Sequence, residues 1–161
     1  MLTGTLDPRI VQINTESILS LNRIIFLNHS NKKDALLALA KNLAAAPQIK
    51  NRQELSSEIL KRDELMSTAI GCGIAIPHVR LSSVTDLVVS VGVSRVDITD
   101  FHAMDDAPVR LLFMIAAAAN QHSYYLQTLS WFSAKLKNRD LRESLLKAET
   151  EQQVYTLLTN T

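Results

Sequence analysis

Cysteine is nearly absent: Cys72 is the only one in 161 residues. A lone cysteine excludes an internal disulfide framework and suits a reducing compartment. Glycine and proline are scarce, four of each, and no low-complexity tract, internal repeat or linker interrupts the chain. Neither charge dominates. Seventeen basic and sixteen acidic residues leave a net charge of +1, so no face is built for phosphate backbones and nucleic acid is not an expected partner. The longest apolar run, Leu111 to Ala119, falls far short of the roughly 20 residues that span a bilayer. The first residues lack the basic-then-apolar layout of a secretion signal. A cytoplasmic protein without membrane insertion is expected.

Common catalytic signatures are missing as well. There is no G-x-S-x-G elbow and no G-K-[ST] of a phosphate-binding loop. Gly71-Cys72-Gly73 lacks the third glycine of a dinucleotide fingerprint. The four histidines, His29, His78, His102 and His122, do not pair at metal-ligand spacing, and Cys72 with His78 makes a poor zinc half-site. Neither a metal nor another cofactor is expected.

What remains is the patterning of one α/β domain. Residues 1–20 are weakly patterned and read as a tail or a short docking segment, with the domain proper over 21–161. Ile24 to Leu27 reads as a short buried strand. A helix is predicted over about 31–45, because Leu36, Leu39, Ala40 and Leu43 recur on one face; Pro47 ends it. A second helix starts near Asn51, whose spacing to Glu54 is that of a capping box. Its inner face reads Leu55, Ile59, Arg62, Met66. Arg62 in that line either satisfies carbonyls at the helix end or points toward an anion. Ile74 to Ile76 reads as a strand that stops at Pro77 and leaves His78 at its rim. Such a histidine is either a hydrogen-bonded boundary residue or a reactive one.

Leu87 to Val93 is predicted as a strand with Leu87, Val89, Val91 and Val93 on one face. The small residues Ser90 and Gly92 on the other allow close packing. Met104-Asp105-Asp106 reads as a turn. Val109 to Ala117, apolar except at Arg110, reads as a central strand covered on both sides. A long helix over 120–137 would bury Leu129, Phe132 and Leu136. His122 lies at its start, where the positive helix end favours a neutral ring or a bound anion. On that helix Trp131 falls on the polar face with Gln127 and Lys135. It marks an interface if exposed, and packs under a neighbouring helix if half-buried. Two shorter helices, 139–147 and 151–159, follow, the last with a Thr150/Gln153 capping box. The alternation predicts a single domain with a mixed sheet sandwiched between helices.

The segment Arg62-Asp63-Glu64-Leu65-Met66-Ser67-Thr68-Ala69-Ile70-Gly71-Cys72-Gly73-Ile74-Ala75-Ile76-Pro77-His78 resembles the active-site segment of enzyme IIA domains of the bacterial phosphotransferase system. The resemblance is to the fructose/mannitol type, which includes the nitrogen-regulatory enzyme IIA proteins and reads roughly R-E-x-x-x-S-T-G-I-G-x-G-I-A-I-P-H. Asp105 to Val109 is similar to the family's acidic turn into its central strand, and His122-x3-Leu126-x2-Leu129 to its second histidine opening a helix.

The resemblance spans about residues 24–159 and implies the mannitol-type IIA fold, a mixed sheet between helices. It implies a phosphoryl group on Nε2 of His78, His122 beside it, positive charge from Arg62, and hydrogen bonds from Ser67 and Thr68. It needs no metal. The implied donor is HPr or its nitrogen-branch paralogue, and an implied acceptor in transport is a cysteine of an enzyme IIB domain. The residues match three roles: a nitrogen-type regulator, favoured because no IIB or IIC segment is attached; a sugar-transport carrier; or a binding module that turns over no phosphate. The sequence departs from the pattern at Asp63, Ala69, Cys72 and Asp106. Alanine at 69 would strain the turn wherever the family's glycine takes positive φ.

Overall fold

The computed structural model describes residues 13–160. Its frame is a six-stranded sheet built from β1 (Ile24–Leu27), β2 (Ala69–Gly71), β3 (Ile74–Ala75), β4 (His78–Leu81), β5 (Val88–Ile98) and β6 (Val109–Ala118). The order is β1-β5-β6-β3-β2, with β4 also pairing to β6. β1 runs parallel to β5, β5 antiparallel to β6, and β3 and β4 parallel to β6. β5 and β6 are covered on both faces, as their near-continuous apolar sequences require.

Helices form a layer on each side. α2 (Lys32–Ala44) and α3 (Arg52–Leu65) cover one face, packing Leu36, Leu39, Leu43, Leu55 and Ile59 against Val88, Leu112 and Met114. α4 (His122–Lys135), α5 (Arg139–Lys147) and α6 (Glu151–Thr159) cover the other, packing Phe132, Leu145, Val154 and Leu158 against Val89, Val91 and Phe113. This sandwich is the predicted architecture, with helix bounds inside the expected ranges. Asn31 and Asn51 cap α2 and α3 through Asp34 N–H and Glu54 N–H. Thr150 and Gln153 close the full capping box of α6. Gly92 leaves room for Leu27 of β1 and Leu39 of α2: a Cβ there would lie 2.7 Å from Leu27 Cδ1, and the end of that side chain would have to shift.

Of segment 1–20, residues 1–12 lie outside the described residues. Thr15–Ile18 forms a short helix, α1, and Ile18 and Leu19 are buried in the α4–α6 layer. Trp131 is half-buried, edge-on to Phe132 at 4.9 Å, with Lys135 Nζ 5.0 Å above its ring. It packs in part against the domain's own core.

Two expectations need correction. β3 does end before Pro77, but His78 is not left at a rim. Pairing lapses at Ile76 and Pro77 and resumes as β4, whose first residue, His78, is in register with Ile115. Pro77 lacks an N–H, yet its carbonyl accepts from Ile115 N–H at 2.9 Å, so the interruption is brief and a strand resumes directly after it. The inner face of α3 also turns differently. Asp63 follows Leu55 and Ile59 into the interior, while Arg62 and Met66 are exposed.

Strain in the turn before His78 is likewise not at Ala69, which lies in β2 paired with Ala75 and has no positive φ. It lies at Cys72. Cys72 and Gly73 form the two-residue connection of the β2–β3 hairpin, with φ of 57° and 77°. Positive φ at both positions is the type I′ pattern, for which Asn-Gly is the favoured pair. Cys72→Asn is therefore expected to stabilise the domain by about 0.5–1 kcal/mol, read as a higher urea midpoint at unchanged slope. A lower midpoint would refute this account of the turn.

Candidate functional site

His78 opens β4 on the face turned toward α4, because Val79 and Leu81 take the α2–α3 side and strand side chains alternate. Its ring is half-exposed and lies 5.7 Å, centre to centre, from that of buried Tyr125. Its Nδ1 is 2.6 Å from the carbonyl oxygen of Ile76. A carbonyl only accepts, so Nδ1 carries the proton in this contact. In the neutral ring Nε2 then holds the free lone pair, which is the electronic form of a nucleophile.

A relay of hydrogen bonds sets this geometry from behind. The Asp63 carboxylate accepts from the Thr68 hydroxyl at 3.0 Å and pairs with Lys32 Nζ at 2.8 Å. The Thr68 carbonyl accepts from Ile76 N–H at 2.9 Å. Ile76 in turn presents its carbonyl to His78. Ser67 donates its hydroxyl to the Phe101 carbonyl at 2.6 Å and accepts from Ala69 N–H at 3.2 Å. Both hydroxyls of the expected phosphate turn are thus engaged in shaping the approach to His78.

The hairpin tip is held by Asp105. Its Oδ2 accepts from Cys72 N–H at 2.8 Å and its Oδ1 from Ala107 N–H at 3.1 Å. The Cys72 bond first, then the Ala107 bond, hold the carboxyl below its ordinary value. A folded pKa below the unfolded one contributes stability that is complete above about pH 4. That contribution fades as pH falls through the depressed folded value. Asp105→Asn is therefore expected to lower the melting temperature at neutral pH, and the gap to the unsubstituted protein should close in strongly acidic buffer. A gap that stays constant down that series would remove Asp105 from the turn's support.

Two residues that the sequence did not single out complete the site. Tyr125 lies one helical turn after His122 on α4 and seats that turn against His78. Burial pushes its phenol up, while Arg62 and Arg80 pull it down, so both guanidiniums act at the ring that touches His78. Arg80 follows His78 by two residues on the same strand face. Its Nη1 donates to the carbonyl of Ala119 at 2.5 Å, pinning the β6–α4 turn. The signal that would have found it is His-x-Arg within a strand.

His122 is the exposed first residue of α4. Gln121 before it makes no side-chain cap: its amide accepts from Ala118 N–H and donates to Asp86 instead. The first N–H groups of α4 therefore have no side-chain cap, a favourable end for negative charge. Exposed Leu65, Met66, Ile70 and Leu126 come from the same elements as the site, and Met104 from the loop that holds the hairpin tip. Exposed apolar side chains of this size suit a protein partner.

The chain is similar to known proteins over most of its length. The family model described as the phosphoenolpyruvate-dependent sugar phosphotransferase system, EIIA 2, matches residues 17–161. A fructose-specific EIIA component of Haloferax volcanii is 36% identical over 129 residues, 80% of this chain and 83% of that one. The fructose-specific EIIABC component of Bacillus subtilis is 31% identical over 150 residues, 93% of this chain, and the chain spans only 23% of that longer protein. The crystal structure of the nitrogen regulatory protein IIA-Ntr from Neisseria meningitidis superposes with a TM-score of 0.82 at 26% identity, covering 89% of this chain and 97% of that one.

Proposed function

The chain belongs to the EIIA 2 family of the phosphoenolpyruvate-dependent sugar phosphotransferase system, a family of phosphocarriers, and from that premise we propose that His78 is its phosphoryl acceptor, through Nε2. The observation that carries the proposal is the Nδ1–H bond to the Ile76 carbonyl, which leaves the lone pair on the outward nitrogen. The donor is HPr or its nitrogen-branch paralogue, itself phosphorylated on histidine. The P–N bond of the donor breaks and its electron pair returns to the donor's ring. The Nε2 lone pair forms the new P–N bond, and the proton on Nδ1 stays in place. No metal is called for in such a transfer, which depends on in-line positioning and on stabilised equatorial oxygens. Arg62 supplies positive charge and His122 steadies the group, while Ser67 and Thr68 hold the loop. The apolar rim lets a docked partner exclude water while the group moves.

The leading role is that of a nitrogen-type regulator whose partners read the phosphorylation state of His78; the extensive superposition on IIA-Ntr supports it. The fructose-specific relatives support the alternative, transfer to a cysteine of an enzyme IIB domain. Incubation with labelled phosphoenolpyruvate, enzyme I and each HPr paralogue tests the chemistry. Acid-labile, base-stable label mapped to the His78 peptide is expected, and no label from any donor would refute it. Preference for the nitrogen-branch donor, with no onward transfer to IIB domains, would identify the regulator. Efficient transfer to an enzyme IIB cysteine would identify the carrier.

A further inference from the structure

Arg80 is the one charged side chain that β4 places beside His78 on the same face, and the acceptor chemistry just described gives it no task. Two strand residues bring its Cα within roughly 7 Å of that of His78. The guanidinium has five N–H donors in a fixed fork, and one Nη1 bond to the Ala119 carbonyl leaves the others. That bond also anchors the guanidinium at the turn that opens into α4. It acts at the Tyr125 phenol from one side of the ring that His78 touches. On the other element facing this point, α3, the charged neighbour is Arg62, while the carboxylate of Asp63 is turned inward to Lys32. Two guanidiniums therefore act at Tyr125, the ring beside His78, and the start of α4 has no side-chain cap, the nearby Asp86 carboxylate being engaged by Gln121 and by Leu87 N–H.

We propose that Arg80 is a phosphoryl ligand: its free N–H donors bind the non-bridging oxygens of the group on His78 Nε2, while Nη1 keeps its hold on Ala119. The inference rests on phosphorylation of His78 and adds the residue that stabilises the product. Arginine suits the task because its planar fork bonds two oxygens at once and stays charged at any working pH.

The test uses the full chain as Arg80→Met, which keeps the apolar stem, and Arg80→Lys, which keeps the charge without the fork. Each is brought to equilibrium with phospho-HPr, and the product is followed by phosphorus NMR across pH. Arg80→Met is expected to hold about tenfold less phosphoryl group at equilibrium, the scale of one lost charge-assisted hydrogen bond. The last phosphoryl ionisation of its phosphohistidine should move to higher pH, because the dianion loses a cation. Arg80→Lys should fall between. A purely structural role at Ala119 would lower the melting temperature of Arg80→Met and leave the phosphoryl ionisation unmoved, which would overturn the proposal. So would full phosphorylation of Arg80→Met with an unshifted ionisation. If the unsubstituted chain takes no label, the acceptor reading fails and this one with it; if only the variants match the parent, Arg80 alone is excluded.

Discussion

His78→Gln is expected to accept no measurable phosphoryl group, a loss of at least about 10³-fold, of the kind seen when a reacting side chain is deleted outright. Glutamine retains a polar end of similar reach, but its amide nitrogen is conjugated and offers no lone pair for a P–N bond. The fold should survive. His78 is half-exposed, and its replacement removes one hydrogen bond to Ile76 and one aromatic contact with Tyr125, together about 1–2 kcal/mol. Label incorporation and calorimetry on the same preparation separate the two effects. Nitrogen NMR of the parent supplies the finer check: Nδ1 should carry the proton and Nε2 should not. Undiminished labelling of His78→Gln would move the acceptor to another residue.

The layers were legible because they follow local rules. The 3.6-residue recurrence of Leu36, Leu39 and Leu43, the caps at Asn51 and Thr150, and the apolar run of β6 each point to a single element. What periodicity could not resolve was the end of α3. After Leu55 and Ile59 the buried stripe continues equally well through position 62 or 63, and neither residue is apolar. Asp63 turns inward because its partners, Lys32 and Thr68, lie on α2 and on the loop beyond the helix. Such long-range pairs leave no trace in spacing. The strand after Pro77 was hidden for a related reason: β6 offers the Ile115 N–H to the carbonyl of Pro77, so β4 begins directly after the break. Arg80 and Tyr125 went unnoticed because their relevance arises only when β4 and the first turn of α4 meet. The resemblance named His78, His122 and Arg62 as candidates and set the strain at Ala69, whereas the positive φ lies at Cys72.

Asp63→Ala is expected to cost about 2–3 kcal/mol of stability. Breaking a buried pair from one side costs roughly 3–5 kcal/mol. The lower figure applies because Lys32 keeps 25% of its side chain in solvent while Asp63 keeps 2%. For a chain of this size the loss is a drop in melting temperature of about 5–10 °C. A second effect travels forward. Thr68 loses the acceptor of its hydroxyl, its carbonyl is then a looser partner for Ile76 N–H, and Ile76 is the residue that orients the His78 ring. Phosphorylation by phospho-HPr should slow several-fold even well below the new melting point.

The double variant Lys32→Met, Asp63→Leu separates the two consequences. Replacing both charges by apolar groups removes the stranded ammonium and should return much of the stability. The Thr68 hydroxyl still lacks its acceptor, so the slow phosphorylation should persist. If phosphorylation recovers together with the melting temperature, Asp63 serves stability alone. If it stays slow in a domain of restored stability, the relay from Asp63 through Thr68 and Ile76 is what keeps Nε2 of His78 facing its donor.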